Sequence, residues 1–170
     1  MEFICGSLVL RYAREANRTL EAISQTVSAP AFETASAIRA LWADYQQARK
    51  RIEDLESQLL DYEAAQFPVT NGVALGAFKD RGLDKLKMLA VKICARPSTV
   101  ALLADESDQL RVVFARSTDS SIDVSAILKK TLEHFGGRGG GRPNLAQGGG
   151  LTAESGDEVL KFAGEQLHKL

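Results

Sequence analysis

Two arginines, Arg138 and Arg142, bracket Gly139, Gly140 and Gly141 in a stretch that reads HFGGRGGGRPNLAQGGG over residues 134 to 150. Of the 14 glycines in the chain, 8 fall between Gly136 and Gly150. Glycine gives up more freedom on folding than any other residue, so this concentration needs a reason. Anion binding supplies one. Consecutive glycines let backbone N–H groups converge into a concave nest with no side chains in the way. A planar guanidinium on each side adds bidentate donors suited to phosphate. Pro143 stiffens the exit, and Asn144 and Gln147 could offer amides to a sugar hydroxyl or a base edge. A surface loop, or glycines that let a helix pack close to a sheet, explains the same composition without a ligand.

Two sharper phosphate templates fail here. No register places glycine at all three positions of GxGxxG, and the segment follows a helical pattern where a strand is needed. Gly136 and Gly141 have the GxxxxG spacing of a P-loop, but Arg142-Pro143 stands where Lys-Ser/Thr is required. Metal chemistry has little support as well. Cys5, Cys94, His134 and His168 show none of the paired spacings of a zinc site. Cys94 lies in the apolar run LAVKICA and reads as a buried small hydrophobe. The two histidines lie near predicted helix ends, where the C-terminal dipole accounts for them.

The elements that must position the glycines alternate in period. The opening EFICG reads as a strand end, a remnant over 1–6 of a larger architecture upstream. Val9, Ala13, Ala16, Leu20, Ile23 and Val27 form one helical stripe. SAP follows, with Ser28 placed to cap and Pro30 suited to the first turn of a second helix. That helix is expected to reach Gln66. Ile38, Leu41, Tyr45, Ala48, Ile52, Leu55, Leu59 and Tyr62 occupy unbroken a/d positions along it, the pattern of a coiled-coil seam. The seam could pack on the shorter first helix as an antiparallel hairpin over 7–66. It could also meet a second copy in parallel, where Asp44 would face Arg49 and Arg51 would face Glu56 of the other chain.

FPVTNG (67–72) breaks the helix and marks a domain boundary. Beyond it, strands are expected at 73–78, 98–105 and 109–116, with helices at 83–95 and 123–135, the latter capped by Asp123. NLAQGG reads as a short strand and 156–170 as a last helix. The order β-α-β-β-α-β-α over 70–170 indicates a small α/β (α+β) domain with a mixed sheet.

Composition sets wide bounds. With 45% hydrophobic and 25% charged residues, the chain is that of an ordinary globular protein. The overall charge of −1 selects no partner, yet residues 79 to 142 hold 12 Lys/Arg against 8 Asp/Glu. That basic middle suits an anionic ligand. Lys129 and Lys130 precede the glycines on a predicted helix; they could widen the footprint or form a solvated face. No apolar run is long enough to span a bilayer, and the two cysteines, without a secretory signal, fit a reducing cytoplasm.

The run from Gly139 to Gly149 resembles the C-terminal motif of alanyl-tRNA synthetases and alanyl-tRNA editing proteins. In them Gly-Gly-Gly-Arg-Pro leads into Asp/Asn-Met/Leu-Ala-Gln. Here Asn144 stands where aspartate is common and Leu145 where methionine is common. FICGSLVLRYAR (3–14) resembles the last strand of their editing domain running into a linker helix, and the later order of elements agrees. The same small domain accompanies DHH phosphoesterases, where a triple-glycine motif touches substrate phosphate. The resemblance implies a module that binds tRNA, tRNA-Ala above all, by its phosphates. It also implies a parent that is an alanyl-tRNA synthetase or an aminoacyl-tRNA editing hydrolase. The zinc of such editing proteins sits on an HxxxH motif and a cysteine–histidine pair that this sequence lacks, as it lacks aminoacylation motifs. The chain itself is therefore expected to be non-catalytic and to hold no cofactor. The alternatives are the substrate-binding domain of a DHH-type phosphoesterase acting on short oligonucleotides, and a coiled-coil dimerisation module.

Overall fold

The structure, a computed structural model, describes residues 7 to 167. The strand expected over 1–6, with Cys5, and His168 lie outside the described residues. Two compact units make up the chain, one reaching Leu55 and the other starting at Glu56. The second takes in the last turns of a helix that the sequence assigns to the hairpin.

In the first unit, α1 (Ser7–Thr26) is followed by a turn and by α2 (Thr34–Gln66), which runs on into the second unit. The second helix starts four residues later than Pro30 suggests. Ser28 takes a left-handed φ of 53° and so ends one turn instead of capping the next helix. The Pro30 carbonyl then accepts from Glu33 N–H at 2.9 Å, and Thr34 donates its hydroxyl to the same carbonyl at 3.0 Å. Ser24 and Thr34 hydroxyls meet at 2.7 Å across the turn. The a/d seam of α2 stays open to solvent: Leu41 is 60% exposed, Tyr45 52% and Leu59 66%. No residue of α1 is buried either. Trp42 stacks on Tyr45 with ring centroids 5.5 Å apart, on the same exposed stretch.

The second unit is a three-layer domain. Its sheet contains β1 (Val73–Phe78), β2 (Val100–Glu106), β3 (Leu110–Arg116), β4 (Arg138–Arg142) and β5 (Leu145–Gly149), in the order β1-β2-β3-β5-β4. β1 and β2 run parallel through the crossover helix α3 (Leu83–Ile93); the other pairings are antiparallel. Helices α4 (Val124–Phe135) and α5 (Gly156–Leu167) cover one face. Alternation along each strand sorts the core. Leu102, Ala104, Val112, Phe114 and Ala146 face α4 and α5, whereas Ala101, Leu103, Val113 and Ala115 face α3.

The last turns of α2 join the α3 layer through a face other than the seam. Leu60 and Ala64 are buried there, with Phe67 against them. Charge pairs frame the contact: Lys85–Glu56 at 2.6 Å, Lys92 with Asp61, and a two-pronged Arg81–Glu63 pair. Arg96 donates to the carbonyls of Ala64, Ala65 and Phe67, closing the C-terminal end of α2 with a positive charge where the helix dipole favours one. Asp123 caps α4 as expected, accepting from Ser125 and Ala126 N–H at 2.9 and 3.3 Å. These hydrogen bonds, led by the Ser125 hydroxyl, hold its carboxyl below the usual value. Burial pushes the Cys94 thiol up to about 11, so it acts as a small hydrophobe with no thiolate chemistry at neutral pH. His134 lies flat on Phe162 of α5 at 4.3 Å between centroids. Among the described residues no helix is long and apolar enough to cross a membrane.

Asp105 lies fully buried at the end of β2, its two oxygens accepting from Arg81 N–H at 2.9 Å and Gly82 N–H at 3.1 Å. Asp105→Ala leaves both donors without a partner. Losing a buried partner costs about 1–3 kcal/mol, so chemical denaturation should show a midpoint lowered with an unchanged slope. A midpoint equal to that of the wild type would remove Asp105 as the anchor of this end.

Candidate nucleic-acid interface

The glycine stretch forms a β-hairpin where the sequence suggests a nest followed by a strand. Gly136 and Gly137, at φ 74° and 96°, turn the chain out of α4. Arg138 to Arg142 then extend as β4, the edge strand, which adds one strand to the expected order. Glycine is a poor strand former, and here the partner strand explains its use. A Cβ on Gly139 would collide with the Gln147 carbonyl and the Gly148 Cα. One on Gly141 would collide with Leu145 and Ala146 in the same way. β4 and β5 approach so closely that only hydrogen fits at these two positions. Gly140 differs, since a Cβ there meets nothing within 4 Å. The donors therefore line up along an edge; they do not converge as the nest requires.

The register fixes their direction. Arg142 pairs with Leu145 across the two-residue turn Pro143-Asn144, so this pair exchanges hydrogen bonds inward. Gly140 with Gln147 and Arg138 with Gly149 follow the same phase. The N–H and C=O groups of Gly139 and Gly141 consequently point away from the sheet. Arg138 and Arg142 stand at the two ends, about 13 Å apart at the rise of an extended strand. Every residue of β4 is exposed. Two outward N–H groups thus lie between two exposed guanidinia, donors of a kind that suits an anion.

Distant residues hold the turn still. Val124, the first residue of α4, donates its N–H to the Pro143 carbonyl at 3.1 Å. Arg116 contributes its backbone N–H to the Asn144 carbonyl at 3.1 Å and its Nε to the Pro143 carbonyl at 3.3 Å. The Arg116 guanidinium also donates to the Ser117 and Ser120 carbonyls. Arg116 is thus a positioning residue for Arg142 and Asn144. At the other end, Thr152 donates its N–H and hydroxyl to the Phe135 carbonyl at 2.8 and 2.6 Å, tying the exit of β5 to the end of α4.

A shallow cavity opens on each face of the glycine strand. On the α4 side one of about 390 Å³ is lined by Ser125, Lys129, Glu133 and the β4 glycines. Lys129 therefore joins the site; Lys130 is exposed on the same helix but does not line the cavity. On the α3 side a cavity of about 320 Å³ lies between Lys87 and the hairpin, bordered by Arg142, Asn144 and Gln147. The structure thus gathers Arg138, Gly139, Gly140, Gly141, Arg142, Asn144 and Gln147 on one edge. Lys87 and Arg116 were not signalled by the sequence reading, since each reaches the hairpin from a separate element. Among the described residues no cluster of three potential metal ligands occurs.

Comparison with known proteins bears on the family and the fold. A family model, the DHHA1 domain, matches residues 71–169. Similar proteins include the alanine–tRNA ligase of Methanococcoides burtonii, 24% identical over 98% of this chain and 19% of that protein. That of Thermus thermophilus is 25% identical over 94% of this chain and 19% of the relative. The chain thus spans about a fifth of these relatives. Among solved structures, the C-Ala domain from Aquifex aeolicus alanyl-tRNA synthetase matches with a TM-score of 0.51 and 26% identity, over 56% of this chain and 89% of that one. RecJ from Thermus thermophilus in complex with Mg²⁺ matches with a TM-score of 0.57 at 12% identity, over 88% of this chain and 28% of RecJ, and shares the fold.

The three glycines should respond differently to a methyl group. Gly139→Ala and Gly141→Ala force β4 away from β5, and overpacking of this kind costs about 1–3 kcal/mol. Gly140→Ala enters open space and should leave the melting temperature unchanged or raised, since replacing glycine lowers the entropy of the unfolded chain. Thermal melts of the three variants check this. Equal losses at all three positions would contradict the close approach.

Proposed function

The chain belongs to the DHHA1 domain family, and from that premise we propose that it is a docking module for tRNA, tRNA-Ala in the first instance. The observation that carries this reading is the exposed glycine edge, whose outward donors lie between the exposed Arg138 and Arg142. Phosphates of a structured RNA would sit along β4, on the N–H groups of Gly139 and Gly141, with the two guanidinia as clamps. Asn144 and Gln147 are placed for sugar or base contacts, and Lys129 extends the positive field. RNA held in this way is recognised by shape and phosphates with little sequence reading.

Relatives that align along nearly the whole chain are alanine–tRNA ligases, and this supports tRNA over other RNAs. The chain would then act in the cytoplasm without a catalytic step or cofactor of its own. Its contribution to a larger enzyme is a higher local concentration of tRNA beside a reacting domain. The open a/d seam supports a second role, pairing α2 with α2 of another copy. Of the inter-chain charge pairs that a parallel arrangement allows, two members already have partners within the chain: Arg49 binds Glu53 at 3.2 Å and Glu56 binds Lys85. Apolar contact along Ile38, Leu41, Tyr45, Ala48, Ile52, Leu55, Leu59 and Tyr62 would therefore carry the association.

Fluorescence anisotropy with labelled tRNA-Ala, run as a salt titration, tests the docking edge. Arg142→Ala should weaken binding by about 1–3 kcal/mol and reduce the salt slope by about one. A variant with wild-type affinity and slope would refute the clamp. Sedimentation equilibrium tests the pairing: the wild type should form a dimer and Leu41→Glu/Leu55→Glu a monomer of unchanged helicity. A monomeric wild type at high concentration would end the dimer reading.

A further inference from the structure

One arginine of the sheet, Arg111 on β3, takes no part in the glycine edge. It pairs with Gly149 of β5, and Gly149 pairs in turn with Arg138 of β4. Opposite residues of antiparallel strands project to the same face. Val113 and Ala115, two and four positions further along β3, pack in the α3-side core. Alternation therefore puts Arg111, Gly149 and Arg138 on the α3-side face. The Cα atoms of the two arginines are two strand spacings apart, about 9.5 Å, with no side chain between them.

On its other side Arg111 faces Asp105 of β2, a ready partner for its charge. That carboxylate is committed to the N–H groups of Arg81 and Gly82. Among the described residues neither Arg111 nor Arg138 forms an ion pair. The Arg111 stem leans over β5 instead, its Cγ 3.4 Å from the place of a Gly149 Cβ. Glycine is not required there by the fold. Gly149 is not among the glycines with a left-handed φ, and a Cβ on it would make only ordinary contacts. α3 packs on β2 and β3, and the β4 part of this face stays open: Arg138 is exposed and a Cβ on Gly140 would meet nothing within 4 Å. Two unpaired guanidinia thus flank a gap that repels cations and offers a planar fork of donors from each side.

Building on the docking reading above, we infer that Arg111 and Arg138 close on a single phosphate of the bound RNA, seated over Gly149 on the α3-side face of the sheet. This site is separate from the outward N–H groups of Gly139 and Gly141. Those donors lie on the rim, in the plane of the sheet, whereas this phosphate lies on the face. The RNA backbone therefore turns off the rim toward the α3 side. Lys129, on the α4 side, is left with the smaller share of the contact. Gly149 is glycine because a larger side chain would stand where the phosphate sits.

Anisotropy with labelled tRNA-Ala, on the full 170-residue chain, tests the inference through a double-mutant cycle. Arg111→Gln should weaken binding about ten-fold, the size of one lost charge-assisted hydrogen bond, and reduce the salt slope by about one. Combined with Arg138→Gln it should lose less than the product of the two single losses, because both side chains hold one phosphate. Combined with Arg142→Gln the losses should multiply, as for distant sites. Gly149→Val keeps every charge and should weaken binding without lowering the melting temperature. Losses that multiply for Arg111 with Arg138 would overturn the shared phosphate. A larger loss in Lys129→Gln than in Arg111→Gln would overturn the path toward α3. If Arg142→Ala weakens binding and Arg111→Gln does not, this site falls and the docking edge stands. If the wild type binds no tRNA, both fall. Inorganic phosphate that raises the melting temperature of the wild type but not of Arg111→Gln, with chloride at equal ionic strength inert and tRNA binding equal in the two proteins, would assign the pair to a free anion and overturn the RNA part.

Discussion

A strand buried on both faces has to finish somewhere, and in this domain it finishes in two carboxylates. β2 is apolar from Val100 to Ala104, then Asp105 turns to the α3 face and Glu106 to the α5 face. Asp105 accepts the backbone N–H groups of Arg81 and Gly82, just before α3 begins. Glu106 accepts Gly156 N–H at 2.6 Å, at the first residue of α5. Negative charge at a helix start suits the dipole and satisfies donors that the helix leaves free. One sequence step at the end of β2 thus docks a helix on each side of the sheet. β3, β5 and β4 follow β2 in the sheet, so the glycine edge inherits its place from a dipeptide three strands away.

The sequence disclosed elements whose side chains follow one rule at a time. The expected bounds of β1 and the Asp123 cap of α4 match the structure, because alternation and capping are local. β4 did not announce itself, since three glycines carry no alternation and have little strand preference of their own. It exists because β5 supplies a partner at a distance that excludes side chains. Likewise the turn before α2 was misread from Ser28 and Pro30: Ser28 adopts a left-handed conformation, and the hydroxyl of Thr34 settles where the helix begins.

The helix α2 teaches the opposite lesson. Its strongest periodicity marks a face that the single chain leaves uncovered, while the contact that builds the domain rests on Leu60 and Ala64, which step outside the heptad. Charged residues near them, Glu56, Asp61 and Glu63, complete that contact by meeting Lys85, Lys92 and Arg81. A heptad analysis assigns such residues to a solvated surface, because nothing local ties them to partners 18 to 31 positions later. The same distance hid Lys87 and Arg116. The residue types of the candidate site were legible, whereas the elements that fix them in space were not.

An uncovered edge strand invites further strands, and β4 lacks the side chains that usually discourage them. Its two arginines act as the deterrent. If two copies met edge to edge in antiparallel fashion about Gly140, Arg138 of each would lie opposite Arg142 of the other, and like charges facing across strands repel. The sheet therefore cannot grow by self-addition without cost, even though its rim is bare backbone. A polyanion would cancel that repulsion, but only by occupying the rim itself. Resistance to self-addition and the proposed choice of ligand would then be two consequences of the same pair of guanidinia.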